Sequence, residues 1–350
     1  MRKYYIDNVR WLSISLLFPY HVFMIYNNWR EPFYIKGVDS LFLSNFIVLV
    51  WPWFMPLLFV LSGIGTVYSL EKRSPGGYIK ERLLKLLVPL VSGILLIIPS
   101  MAFFADKYHN GYSGTYFRHY IIFFTKFTDL TGYDGGFTPG HLWFVLYLLI
   151  ISLITAPLIF LKRKIPAGNM NITVLLLLFL VPLLGQFVLD ISGKSLGEYL
   201  AFFLLGYYIF SKDEVVEKFE KNKHILYLMF FGCMAVILIV FNKIINLGDT
   251  VYDIIAGLYA YTGIIVLLIT AKKHLNKNNK VFAYLSKSSF CIYVFHQVWI
   301  VVIAYYVFKS IDAIILQIVI TLLSSVVLTY GTYEIIKRIK IARFLFGMKG

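Results

Sequence analysis

Long runs of apolar residues alternate with short polar segments along the whole chain. Most runs hold about 17 or more residues with almost no charge, and a helix needs about 20 such residues to cross a bilayer. The pattern predicts an all-α, polytopic membrane protein with about ten transmembrane helices, of which the sixth is the shortest. The predicted spans lie near residues 11–27, 43–70, 83–104, 141–161, 172–190, 197–211, 224–241, 251–271, 285–308 and 311–334.

The composition agrees with a membrane protein. The 350 residues are 59% hydrophobic and have a mean hydropathy of +0.75, whereas an ordinary soluble domain holds roughly 45–50% apolar residues. A soluble fold could not bury so much apolar surface. The first apolar run continues directly from Met1-Arg2-Lys3 without a small-residue cleavage site. We therefore expect this run to remain as an anchor rather than to be removed as a signal peptide.

The net charge of +15 indicates how the helices are oriented, because Lys and Arg concentrate in cytoplasmic loops. If the N-terminus is cytoplasmic, 25 of the 33 Lys and Arg residues fall in cytoplasmic segments and eight fall outside. The distribution predicts ten spans with both termini in the cytoplasm. It also explains the basic charge without a nucleic-acid-binding surface, which would need clustering on one face.

Several kinds of chemistry lack their sequence motifs. The two cysteines, Cys233 and Cys291, both fall inside apolar spans and are expected to be small hydrophobic residues rather than a disulfide or metal ligands. No zinc-ligand spacing, phosphate-binding glycine loop or dinucleotide-binding fingerprint is present. We therefore expect no metal site, no nucleotide hydrolysis and no permanently bound cofactor.

Two polar segments interrupt the apolar pattern. The outer segment 105–140 is rich in Tyr and Phe and then in Gly and Pro, which is typical of an interfacial or re-entrant helix followed by turns. It could serve as a structural lid or recognise an acceptor, and both interpretations stay open here. The inner segment 211–223 alternates acids with lysines, which predicts a solvated helix.

The first span carries one ionisable residue that a membrane helix would otherwise avoid, His21, and Arg10 lies at the cytoplasmic boundary of this span. Arg10 and His21 are eleven residues apart, so both lie on one face of the helix, separated by roughly 16 Å. Arg10 could bind an anionic group arriving from the cytoplasm, or mark the membrane boundary beside Asp7. His21 could act as a general base or as an interhelical hydrogen-bonding group, and Pro19 bends the helix close to it.

Other polar residues fall at the mouths of later spans. Arg82 and Lys85 lie at the cytoplasmic mouth of the third span, where they could bind phosphates or simply follow the positive-inside rule. The remaining polar positions could each be an interface anchor or a contact between helices. Together they suggest a shared cavity, lined by His141, Trp143, His296 and Glu198.

With these motifs the chain resembles the integral-membrane acyltransferase family 3, and within it the subgroup that contains the periplasmic glucan succinyltransferase. The most characteristic motif is an arginine, ten residues and then a histidine in the first helix. The resemblance extends over essentially all 350 residues. Its segments are Arg10 to His21, Phe59 to Gly63, Tyr78 to Pro89, His141 to Phe144, Phe203 to Tyr207, Ile292 to Gln297, Tyr333 to Lys337, and Arg343 to Lys349.

The resemblance implies ten helices and the transfer of acetyl, succinyl or similar groups from coenzyme A to sugars. By position, His21 would be the catalytic histidine and Arg10 would engage the donor. Ser62 and Gly63 would allow close helix packing beside the donor site. Arg82 would support that site together with Lys85, which stands where many members have a second arginine. The resemblance further implies a cavity lined by His141, Trp143 and His296.

We therefore expect one transmembrane domain over residues 1–350 that is a multi-pass protein of the plasma or inner membrane. It would move an acyl group from cytoplasmic acyl-coenzyme A, a co-substrate, to an extracytoplasmic glycan or similar hydroxyl acceptor. The alternative from another class is an exporter of polysaccharides or lipid-linked sugars without acyl transfer. A sensor or scaffold without activity is disfavoured because Arg10 and His21 are both present.

Overall fold

A computed structural model describes residues 3–29, 32–161 and 165–348. Within these ranges the protein is almost entirely helical, with one two-residue hairpin, β1 Asp190–Ile191 and β2 Lys194–Ser195. The helices are α1 Tyr4–Met24, α2 Leu41–Leu70, α3 Pro75–His109, α4 Tyr116–Thr125, α5 Gly140–Phe160, α6 Ile172–Gly185, α7 Leu196–Phe210, α8 Asp213–Lys221, α9 Lys223–Phe241, α10 Asp249–His274, α11 Lys280–Ser310, α12 Ile314–Ile336 and α13 Lys340–Leu345.

A helix occupies every position at which the hydrophobic pattern predicts a span. Seven of the described helices, namely α2, α3, α5, α9, α10, α11 and α12, are long and apolar enough to cross a membrane. The helices α6 and α7 are apolar but shorter. The prediction of an all-α, polytopic membrane fold is confirmed. The count of ten crossings and the cytoplasmic termini stay predictions, and the basic residues 162–164 of one predicted cytoplasmic loop lie outside the described residues.

The fifth predicted span, 172–190, is shorter than the sequence indicates. The helix ends at Gly185, and its two parts, Ile172–Leu177 and Leu180–Gly185, are separated by a turn. At this end the backbone lies close to that of the next helix, because a Cβ on Gly185 would lie 2.8 Å from the carbonyl oxygen of Gly197. The chain then forms the hairpin before α7 begins.

Both polar segments contain the predicted helices. In the outer segment, Thr115 caps α4 by accepting a hydrogen bond from the Arg118 amide. In the inner segment, α8 exposes its acids and Lys221, half-buries Lys218, and buries Val215, Val216 and Phe219. The helix α8 is therefore amphipathic rather than polar on all sides.

The residues divide into two compact units. The first contains the described residues of Met1–Ser13, Val48–Glu81 and Tyr147–Ser286, and the second contains those of Ile14–Ile47, Arg82–Leu146 and Lys287–Gly350.

In the first unit, α2 and α7 approach each other backbone to backbone. A Cβ on Gly63 would lie 2.1 Å from the Phe203 carbonyl oxygen, and a Cβ on Gly206 would lie 2.3 Å from the Val60 carbonyl oxygen. Only glycine allows this separation. The predicted role of Gly63 in close helix packing is thus confirmed.

In the second unit, a polar stripe forms the buried face of α12. Its members recur every fourth residue, so they lie on one face of the helix, and all are buried. Tyr26, two residues after the end of α1, donates a hydrogen bond of 3.1 Å to Gln317, the first residue of the stripe. The stripe consists of Gln317, Thr321, Ser325, Thr329 and Tyr333.

Candidate functional site

Three histidines from three helices of the second unit meet in one cluster. His21 comes from α1, His141 from the 3₁₀ turn that opens α5, and His296 from α11. The His296 ring lies 5.2 Å from the His21 ring and 5.0 Å from the His141 ring, measured between centroids. His296 is fully buried and His141 is 6% exposed. The structure therefore brings together three of the residues that the sequence proposes, with His296 in contact with both others.

Two hydrogen bonds connect the start of α5 to α11. The Nε2 atom of His141 lies 2.9 Å from the carbonyl oxygen of Val294, and the Tyr293 hydroxyl donates to the carbonyl oxygen of His141. Because a carbonyl oxygen only accepts, Nε2 of His141 carries the proton. The neutral ring then has its lone pair at Nδ1, which is buried and has no hydrogen-bond partner among the described residues.

The tautomer of His296 follows from the same argument. Its Nδ1 atom lies 2.6 Å from the carbonyl oxygen of Tyr293, one turn earlier in α11, and therefore donates the proton. Its lone pair is at Nε2, which is also buried and unpartnered within the described part of the chain. The cluster thus contains two buried acceptor nitrogens, one on His141 and one on His296, without a donor.

His21 lies between this pair of rings and a group of aromatic side chains. Its Nδ1 atom is buried and makes no hydrogen bond to any described residue. Its ring stacks on Phe33 at 6.0 Å with an interplanar angle of 11°. Phe33 contacts Tyr34 and Tyr133, and these two rings meet edge to face at 5.0 Å. We call Phe33, Tyr34 and Tyr133 the aromatic cap.

The aromatic cap is held by residues at the end of α3. Nε2 of His109 donates a hydrogen bond of 2.7 Å to the carbonyl oxygen of Phe33. The hydroxyl of Tyr108 donates to the carbonyl oxygen of Lys36. Tyr34 donates a bond of 3.2 Å to the carbonyl oxygen of Thr131 in the outer segment. The backbone that carries Phe33 is therefore fixed against His21 from two sides.

A buried pair fastens α4 to α3. Nε2 of His119, which has no exposed surface, lies 3.2 Å from Oδ2 of Asp106. Burial lowers the pKa of His119 below its ordinary value of 6.5, although the Asp106 carboxylate acts in the opposite direction. Gly135 packs against this pair with φ +86°, a conformation that glycine adopts without strain. These contacts support the lid interpretation of the outer segment, whereas acceptor recognition stays open.

Arg10 lies in the first unit, and the partners of its guanidinium include a carbonyl oxygen and a carboxylate. One nitrogen donates to the carbonyl oxygen of Leu61 at 3.2 Å, and another approaches Oδ1 of Asp7 at 3.4 Å. The side chain remains 36% exposed. The Asp7 contact is the one that the boundary-marker interpretation requires, and the partly exposed side chain is also compatible with an anion-binding role. The assignment of Arg10 to the donor stays a prediction.

The other proposed residues are divided between the two units. Ser62 and Glu198 belong to the first unit. The Ser62 hydroxyl donates to the carbonyl oxygen of Leu58 in its own helix at 2.8 Å. The backbone amide of Glu198 donates to the Ser195 hydroxyl, which caps α7. In this structure, Ser62 and Glu198 thus have local structural roles, and their proposed functional roles stay predictions.

Arg82, Lys85 and Trp143 belong to the second unit. All three are half-buried, and Lys85 lies in a π-helical turn, Leu83–Leu87, within α3. Such turns are common at functional sites. The structure neither supports nor excludes a donor role for Arg82 and Lys85, which therefore stays a prediction. Trp143 follows His141 by two residues, so it begins the regular part of α5.

Sequence reasoning did not identify two residues of the site. Tyr293 supplies both the carbonyl that sets the His296 tautomer and the hydroxyl that binds His141. Its position three residues before His296 was an available signal, because such residues share a helix face. Phe33 gave no signal, since a lone Phe in a short polar loop is ordinary. Among the described residues, no group of three or more His, Cys, Asp or Glu side chains is placed to hold a metal ion.

Comparison with known proteins identifies the family. The model of the acyltransferase 3 family, which is described as an acyltransferase domain, matches residues 3–334. No curated protein and no solved structure matches the chain. The match covers nearly the whole chain and includes the three histidines and Arg10. The finer resemblance to the glucan succinyltransferase subgroup stays a prediction. The protein therefore belongs to the acyltransferase 3 family of membrane proteins and is an acyltransferase for groups other than aminoacyl groups.

Proposed function

We propose that the protein is a transmembrane O-acyltransferase that moves an acetyl- or succinyl-type group from cytoplasmic acyl-coenzyme A to the hydroxyl of an extracytoplasmic glycan or similar acceptor. His21 is the general base of this reaction. The observation that carries the proposal is the buried histidine cluster, in which His21, His141 and His296 each have a ring nitrogen without a partner among the described residues.

The chemistry of the cluster favours a hydroxyl substrate. A neutral imidazole nitrogen with a lone pair accepts a hydrogen bond, and a buried acceptor without a donor lowers stability by about 1–3 kcal/mol. His141 and His296 both present such an acceptor. A sugar hydroxyl is a donor, so it could supply a hydrogen bond to an acceptor nitrogen that the folded protein leaves without one. A substrate that only accepts hydrogen bonds would not.

Acyl transfer forms a carbon–oxygen bond and breaks a carbon–sulfur bond. The acceptor oxygen bonds to the thioester carbonyl carbon while its proton passes to His21. The carbon–sulfur bond breaks, and the thiolate receives a proton and leaves as the free thiol of coenzyme A. The products are an ester on the acceptor and one thiol. A route through an acyl-enzyme would instead release the thiol before the acceptor reacts.

The donor side of the proposal rests on Arg10. A guanidinium binds phosphate with several directed donors, and Arg10 keeps a partly exposed guanidinium. In the absence of donor, the Asp7 carboxylate partly compensates its charge. Arg82, Lys85 and Ser62 are retained as further donor contacts on the strength of the family motifs alone.

The test is label transfer in membrane vesicles from the native host, which contain the natural acceptor. Vesicles with the protein are supplied with radiolabelled acetyl- or succinyl-coenzyme A, and free thiol and label in the glycan fraction are measured together. The proposal expects one equivalent of thiol for each equivalent of bound label, and neither in vesicles that lack the protein. Glycan that crosses the membrane without label and without thiol release would identify an exporter instead.

A further inference from the structure

We infer that His296 is a positioning residue for catalysis: in the reacting complex its Nε2 accepts a hydrogen bond from Nδ1 of His21 and so directs the Nε2 lone pair of His21 to the acceptor hydroxyl. The inference rests on the proposed function, since it assigns a partner to the proposed base. It assigns to His296 a role other than that of a residue lining the substrate cavity.

The tautomer of His296 is fixed by a hydrogen bond within α11. Its Nδ1 proton is donated to the Tyr293 carbonyl oxygen at 2.6 Å. A main-chain carbonyl cannot donate a proton in return, so Nε2 of His296 is an acceptor as long as the ring is neutral. This arrangement is independent of any bound substrate, because both partners belong to one turn of α11.

The His296 ring, which carries this acceptor, lies beside His21. The two rings are 5.2 Å apart and inclined by 34°. Two further rings contact His21, namely Phe33, which has no polar atom, and Tyr20, the preceding residue in the sequence. Nδ1 of His21 and Nε2 of His296 are both buried, and neither has a partner among the described residues. A donor on one would satisfy the acceptor on the other.

The tautomer of His21 determines which of its nitrogens can act as the base. A general base is efficient only if the lone pair, rather than the N–H, faces the hydroxyl. If Nδ1 of His21 carries the proton and donates to His296, Nε2 of His21 has the lone pair. The resulting chain of hydrogen bonds runs from the Tyr293 carbonyl through His296 and His21 to the acceptor hydroxyl. Such bonds are often longer before substrate binds and shorten in the complex.

A purely structural role explains the geometry less well. An apolar residue at position 296 would fill the same buried volume without leaving an acceptor unsatisfied. The contacts that connect α5 to α11 do not require the His296 ring either, because they are made by His141, Tyr293 and the carbonyl of Val294. The ring of His296 serves no hydrogen bond outside its own turn in the described structure.

The experiment compares His296→Leu with His296→Gln in the full-length protein. Leucine removes the acceptor, whereas the glutamine amide oxygen can take its place. Phe295→Leu is the matched control, because that ring contacts Phe346 at 4.8 Å and is not part of the cluster. Gel filtration and thermal unfolding establish that each variant is folded. Acyl transfer is then measured against acyl-coenzyme A concentration, with His21→Gln as the inactive reference.

The inference expects kcat to fall about 100-fold in His296→Leu with KM for the donor within twofold, and to recover by at least tenfold in His296→Gln. Phe295→Leu should keep its activity. Nitrogen-15 spectra of ring-labelled histidine should show His21 protonated at Nδ1 in the native protein and redistributed between its two nitrogens in His296→Leu.

Three results would overturn the inference: a folded His296→Leu variant with kcat within threefold of the native protein, equal losses in the Leu and Gln variants, or an unchanged His21 tautomer. The assignment of His21 as the base fails separately if His21→Gln retains activity, and the proposed function fails if the native protein transfers no label. An inactive His21→Gln variant together with an active His296→Leu variant would leave His21 as the base and remove only the role of His296.

Discussion

Replacing Gly63 with alanine would push α2 away from α7. The new Cβ would lie 2.1 Å from the carbonyl oxygen of Phe203 and 2.9 Å from the amide nitrogen of Tyr207. Both atoms belong to the backbone, so no side-chain rotation can relieve the overlap. An ordinary contact begins at about 3.4 Å, so the helices must separate locally by roughly 1 Å. Overpacking of this kind typically costs about 1–3 kcal/mol.

The matched control is Gly232→Ala in α9, which belongs to the same unit. A Cβ on Gly232 would have no neighbouring atom within 4 Å. There alanine should stabilise the helix by up to about 1 kcal/mol, because glycine has more freedom to lose on folding. The two glycine substitutions therefore have opposite predicted signs although they make the same chemical change.

Thermal unfolding of detergent-purified protein, followed by tryptophan fluorescence, provides the assay. A loss of about 2 kcal/mol should lower Tm by roughly 4–8 °C for Gly63→Ala, while Gly232→Ala should leave Tm unchanged or raise it. If Gly63→Ala unfolds at the native temperature, the close approach of α2 and α7 is wrong. If Gly232→Ala lowers Tm as much as Gly63→Ala, the effect is general and does not report on packing.

Three further predictions concern other parts of the chain. Arg10→Ala should weaken acyl-coenzyme A binding about tenfold to a hundredfold in isothermal titration, because a guanidinium contact to phosphate contributes roughly 1.5–3 kcal/mol. If the affinity is unchanged, Arg10 only marks the membrane boundary. Tags at residues 1 and 350 should be cytoplasmic, and Asp129→Cys should react with an impermeant thiol reagent from outside; external labelling at residue 350 would refute ten crossings. As pH falls below 6.5, native thermal stability should decrease, because the lowered pKa of His119 means that the unfolded chain binds its proton more readily. His119→Gln should reduce this dependence, and an identical pH profile would refute it.

The hydrophobic pattern predicted the helices well because a membrane helix must be apolar along its whole length. It failed at 172–190, where the residues after Gly185 are apolar enough to continue a helix. The helix ends where Gly185 meets Gly197, two residues that come together only after the chain has turned back. Periodicity and composition contain no information on such a contact.

The candidate site was predicted in part. Intramembrane histidines are rare enough that His21, His141 and His296 could be selected from the sequence, and the structure places them together. The sequence could not show that His296 contacts both other rings, because that depends on how α1, α5 and α11 pack. It also gave no tautomers, since these follow from main-chain carbonyls rather than from residue types.

The claim that His21 takes the proton of the acceptor hydroxyl is tested most directly by the transfer rate of His21→Gln. Glutamine can still donate and accept hydrogen bonds but cannot take up a proton at neutral pH. His224→Gln, at an exposed histidine in α9, is the matched control. The account predicts a folded His21→Gln protein whose acyl transfer falls by at least the 10²–10⁴ that general-base catalysis supplies, beside a His224→Gln protein of native activity. Substantial transfer by the folded His21→Gln protein would contradict it and make His21 a structural hydrogen-bonding residue.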